Sequence, residues 1–74
     1  MTMAGVAVIG ERAQVSGWAL AGAVVHAGED AAQVREAWHA LGDDVAVVVL
    51  TPAASAHLAG ETARGGPLTV VLPG

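Results

Sequence analysis

The chain has 74 residues, which predicts a single domain over residues 1–74. Its net charge of −4 rests on three basic residues, Arg12, Arg35 and Arg64, too few to displace the counterions of nucleic acid or to hold an anionic membrane surface. Cysteine is absent, which excludes disulfides, thiolate metal sites and thiol nucleophiles. No apolar run approaches the roughly 20 residues of a membrane helix, and the N-terminus lacks the basic region of a secretory signal. The expectation is therefore a soluble cytoplasmic protein. The 54% of hydrophobic residues, mostly Ala and Val, is globular in character rather than disordered.

The first predicted element is the strand "GVAVI", residues 5–9. It is a continuous apolar run, the pattern of a strand covered on both faces, and Gly10 permits a tight exit. A helix is predicted over residues 13–21, with Val15, Trp18 and Ala19 on one face; Gly17 weakens it by about 1 kcal/mol against alanine. Gly22 is its stop. "AVVH", residues 23–26, predicts a short second strand.

The second helix carries the clearest signals. Asp30 is a good N-cap, with Gln33 three residues on as in a capping box. Val34, Ala37, Trp38 and Leu41 repeat at the spacing of a buried stripe, while Arg35, Glu36 and His39 face away. Gly42 ends it. "VAVVVL", residues 45–50, is apolar throughout and rich in β-branched valine, which predicts a central strand. Thr51 and Pro52 then read as N-cap and first helical position of a third helix over residues 53–63. "RGGP", residues 64–67, is a loop, and "LTVVL", residues 68–72, is the last strand. Alternation of apolar strands with helices predicts an α/β domain. The expected sheet is four-stranded and parallel, of order 2-1-3-4, between helices on both faces, a receiver-like, Rossmann-like three-layer arrangement.

Catalytic patterns fail on inspection. Gly5 and Gly10 have P-loop spacing, but Glu11 stands where the lysine belongs and Arg12 where the Mg²⁺-binding hydroxyl belongs. The dinucleotide fingerprint is also missing. A phosphoacceptor domain of the response-regulator type needs an aspartate at the end of the central strand, where this chain has Leu50-Thr51, and a lysine, which it lacks. His26, His39 and His57 sit on or beside different elements, without metal-ligand spacing. Asp43-Asp44 reads as a solvated turn. Ser16 and Ser55 have no neighbouring base, and Trp18 and Trp38 read as core. Neither a catalytic set nor a cofactor is expected.

The opening stretch "VAVIGERAQVSGWALAG", residues 6–22, resembles the N-terminus of the F subunit of V-type and A-type rotary ATPases. Ile9-Gly10-Glu11, Ser16-Gly17-Trp18 and Leu20-Ala21-Gly22 stand in the family's order. "VVVLTPAASAHLA", residues 47–59, resembles its third strand and following helix, and "GPLTVVLPG", residues 66–74, its Pro-led final strand. Departures exist. The family usually has Asp where Glu11 stands, Thr near Ala13 or Gln14, Phe where Trp18 stands, and Glu where Val71 stands. It also continues into a C-terminal helix along the rotor, whereas this sequence stops at Gly74.

The resemblance implies a non-catalytic central-stalk subunit. It would dock on the coiled-coil D-type shaft of the ATPase and help couple ATP hydrolysis or synthesis to ion transport, peripheral to the membrane through the complex. The rim formed by Glu11-Arg12, Gly28-Glu29 and Thr51-Pro52, or an apolar helix face beside it, is the expected partner surface. Glu11, Arg12, Trp18, Val25, Thr51 and Leu58 are its candidate residues. The alternatives are a free-standing receiver-like adaptor or homodimer, and a small-molecule sensor binding at the carboxyl ends of the strands.

Overall fold

The computed structural model describes residues 5–21, 23–42, 44–63 and 66–73. Four strands, β1 (Val6–Gly10), β2 (Val24–Ala27), β3 (Val47–Leu50) and β4 (Leu68–Val71), form one sheet in the order β2-β1-β3-β4. Every pairing is parallel: Val8 lies beside Val25 and Val49, and Val49 beside Val70. The expected topology and strand order are thus the observed ones.

Side chains alternate across a strand, and this divides the core in two. On one face Ile9, Val48 and Leu50 meet Val34 and Ala37 of α2 (Ala31–His39), Ala54 of α3 (Pro52–His57), and Leu58. On the other face Val8 and Val49 meet Val15 of α1 (Arg12–Val15), with Trp18, Val25 and Leu72 packed around them. Helical segments therefore lie on both sides of the sheet. The described helices lean chiefly on β1, β2 and β3. On β4, Leu68, Val70 and Val71 remain 67%, 46% and 49% exposed. β4, with one polar residue, Thr69, among three apolar ones, is thus left largely open.

Local chemistry explains most element ends. Asp30 caps α2: its Oδ1 accepts from the Gln33 N–H at 2.8 Å, and Gln33 Oε1 accepts from the Glu29 N–H at 2.8 Å. The reciprocal bond of this capping box therefore reaches one residue further back than the usual pattern. Val34 and Ala37 are buried, and Trp38 and Leu41 are half-buried against the same core. The helix stops at His39, short of Gly42, with the Ala40 N–H still bonded to carbonyls of the last turn. Thr51 caps α3, its Oγ1 accepting from the Ala54 N–H at 3.3 Å, and Pro52 opens the helix.

Two predicted helices are interrupted. The helix expected over residues 13–21 is an α-turn, Arg12–Val15, that tightens into a 3₁₀ segment, Ser16–Ala21. Gly17, poor in helical propensity, sits at the change. The third helix breaks at Leu58, which leaves the αR region at φ −103° and ψ 8°, before the short α4 (Ala59–Thr62). Gly22, Arg64 and Gly65, assigned to a helix stop and a loop, lie outside the described residues.

Candidate functional site

In the order β2-β1-β3-β4 the chain departs from β1 to opposite sides, so the strand order reverses between β1 and β3. Open parallel sheets leave a crevice at the carboxyl ends of such a strand pair. Here it has a volume of about 460 Å³ and is walled by Glu11, Gln14, Trp18, Thr51, Pro52 and Leu72, among others.

Each wall follows from local structure. Glu11 is the first residue after β1 and occupies the N-cap position of α1, yet its side chain makes no capping bond. Gln14 lies one turn along α1, and Trp18 follows on the 3₁₀ segment. Thr51 and Pro52 open α3 directly after β3. Leu72 follows β4, its N–H bonded to the Leu50 carbonyl at 2.8 Å.

Hydrogen bonds between loops hold this rim. The Arg12 N–H donates to Glu29 Oε1 at 3.2 Å, and the Gly28 N–H donates to the Gly10 carbonyl at 2.9 Å. The turn after β1 is thereby tied to the turn after β2. The Thr51 N–H donates to the Ile9 carbonyl at 3.2 Å, tying β3 to β1. Gly10 itself is required by a close approach. A Cβ there would stand 2.2 Å from Thr51 Cγ2 and 2.7 Å from its Oγ1.

The electrostatics are one-sided. Among the described residues Glu11 is the one ionisable residue lining the crevice. Its Oε2 is shut off from solvent and has no hydrogen-bond partner among the described residues. Buried acceptors are nearly always satisfied, so this oxygen stands out.

The six candidate residues separate on the structure. Glu11, Trp18 and Thr51 meet around the crevice. Arg12 is exposed on the rim. Val25 is half-buried in β2 beneath the α1 side of the sheet. Leu58 is fully buried on the opposite face, so it serves the core rather than a docking surface. Thr51 is likewise 1% exposed and acts through its cap and its contact with Gly10. Gln14 and Leu72 were absent from the sequence-derived set; Leu72 joins only because β4 runs parallel beside β3.

His39 is exposed, its Nε2 3.3 Å from Glu61 Oε1, an ion pair only when the imidazole is protonated. His26 lies in β2 and His57 ends α3. Among the described residues no group of three histidines and carboxylates could hold a metal ion. Asp43 lies outside the described residues, while Asp44 is exposed. None of the described helices is long and apolar enough to cross a membrane. A second groove, of about 550 Å³, opens at the amino ends of the strands between Trp38, Leu41, Val45 and Leu68.

No family model matches the chain, nor does any curated protein sequence or solved structure.

Proposed function

We propose that the chain is a non-catalytic rotor subunit of a V-type or A-type ATPase, docked on a coiled-coil shaft. Two features support this reading: the ordered sequence resemblance described above, and the open apolar surface of β4. The resembling segments occupy β1 with its following turn and helix, β3 with α3, and β4.

The observation that carries a protein-docking role is the exposure of Leu68, Val70 and Val71 on one edge strand. Proteins usually guard such edges with charge, proline or a covering element. Within β4, residues 68–71, there is neither a charge nor a proline. Clustered exposed apolar side chains mark interaction surfaces. A coiled coil laid against β4 would cover them and would require no reaction from this chain. The half-exposed edge replaces Leu58 and Val25 as the proposed contact.

The test is co-expression with a D-type shaft subunit. The expected result is a stable complex that survives gel filtration. Val70→Lys should abolish it without lowering the melting temperature of the isolated chain. Failure to form any complex overturns the rotor reading. The same open edge favours a second reading, an adaptor or homodimer in which β4 pairs with β4 of another copy. A concentration-dependent dimer that Val70→Lys dissociates, without shaft binding, would select it.

A further inference from the structure

We propose that the crevice between β1 and β3 binds a small organic cation, an ammonium or guanidinium group carried on a short apolar body. The inference goes beyond the docking role and rests on a different part of the surface.

The position comes first. The crevice lies at the carboxyl ends of β1 and β3, where the strand order reverses, and its volume of about 460 Å³ falls in the range of small-ligand sites. The chemistry of its walls decides the ligand class. Among the described residues Glu11 supplies the single ionisable group, and one of its oxygens, closed off from solvent, accepts no hydrogen bond from them. No arginine among the described residues forms an ion pair with it. The adjacent Arg12 is exposed, its backbone N–H directed to Glu29. The carboxylate is thus an acceptor awaiting a donor, and an N⁺–H donor makes the strongest bond to it. Rotation about the terminal torsion of a glutamate is soft, so either oxygen can turn toward an incoming group.

The remaining walls suit the body of such a ligand. The Trp18 indole lines the same space, and indole is the side chain best able to attract a cation through its ring face. Leu72, Pro52 and Pro73 add apolar surface. Gln14 also lines the crevice, and its carboxamide oxygen is a neutral acceptor.

Other ligand classes fit worse. A phosphate or carboxylate would be repelled by Glu11 at contact distance. A divalent metal needs several oxygen ligands, and the described residues offer no group of three histidines and carboxylates. The net charge of −4 also favours approach of a cation.

The experiment uses phenethylammonium and agmatine as cation probes and phenylacetate as an anion of similar shape. The chain has two tryptophans, so Trp38→Phe leaves Trp18 as the sole indole fluorophore. Should that variant unfold, the Trp18 indole N–H resonance of the unmodified chain reports instead. The expected result is a saturable Trp18 response to at least one cation and none to phenylacetate. Glu11→Gln, close to isosteric and checked by circular dichroism, should weaken binding at least tenfold. The bound cation should also raise the melting temperature of the unmodified chain, a rise lost in Glu11→Gln. Absence of a saturable response to either cation, an equal response to phenylacetate, or unchanged affinity in Glu11→Gln overturns the proposal. Shaft binding is read separately through Val70→Lys, so failure of one test leaves the other standing.

Discussion

Gly10→Ala should destabilise the protein through one contact. Gly10 ends β1 and is buried, and the position a Cβ would take lies 2.2 Å from Thr51 Cγ2, 2.7 Å from Oγ1 and 3.0 Å from Cβ. Thr51 has little room to yield. It is 1% exposed, β-branched, and its hydroxyl caps α3 through the Ala54 N–H. Turning the side chain away would sacrifice that cap, at about 1 kcal/mol; shifting the backbone would strain the bonds that tie β1 to β3. Overpacking of a tight core costs about 1–3 kcal/mol. A 74-residue chain at about 0.05–0.15 kcal/mol per residue has roughly 4–11 kcal/mol in total. The variant should therefore lose a substantial share of its stability. For this size each 1 kcal/mol lowers the melting temperature by about 4–8 °C.

Urea unfolding of four proteins makes the test: the unmodified chain, Gly10→Ala, Thr51→Ser and the double variant. Thr51→Ser removes the nearest clashing atom and keeps the capping oxygen. Gly10→Ala should consequently cost less in the Thr51→Ser background, with a coupling of roughly 0.5–3 kcal/mol, as for residues in contact. If Gly10→Ala changes stability by less than about 0.3 kcal/mol, or if the two substitutions add without coupling within the usual scatter of about 0.3–0.5 kcal/mol, the close approach is not what requires glycine there.

Three further predictions concern the core on the α2–α3 side and the start of α2. Leu58→Ala, at a site with 0% exposure, should cost about 2–5 kcal/mol. Trp38→Ala, at a half-buried site that also walls the amino-end groove, should fall toward or below the low end of the roughly 3–5 kcal/mol usual for a buried tryptophan; an effect below that of a surface substitution, about 0.5 kcal/mol, would show that the ring is not packed. Asp30→Ala should cost about 1 kcal/mol by removing the acceptor for the Gln33 N–H, and Asp30→Asn should restore most of it. Equal losses in Asp30→Ala and Asp30→Asn would assign the effect to charge instead of capping.

Much of the architecture was legible before any coordinates, because it is written in local pattern. Uninterrupted apolar runs at β1 and β3 require cover on both faces. Asp30 and Thr51 announce helix starts because a short side-chain oxygen meets a free N–H two or three residues on. The spacing of Val34, Ala37, Trp38 and Leu41 marks the inner face of α2 because the helical repeat places them together. Gly10 was legible as a necessity, though for another reason. It looked like a point of backbone freedom, and the structure makes it a point of clearance from Thr51; among the described glycines only Gly66 takes a positive φ, 117°.

The sequence on its own thus determined the α/β class, the order of elements and the caps, all consequences of contacts between near neighbours along the chain. Tertiary structure alone decided which distant residues meet. It brought Glu11, Trp18, Thr51 and Leu72 around one crevice, left a Glu11 oxygen without a donor among the described residues, and drew Leu58 wholly inside. It also left β4 open although three of its four residues are apolar. The physical reason is that hydrophobic periodicity records which side chains would gain from burial, whereas sheet register and the number of helices available decide which of them obtain it.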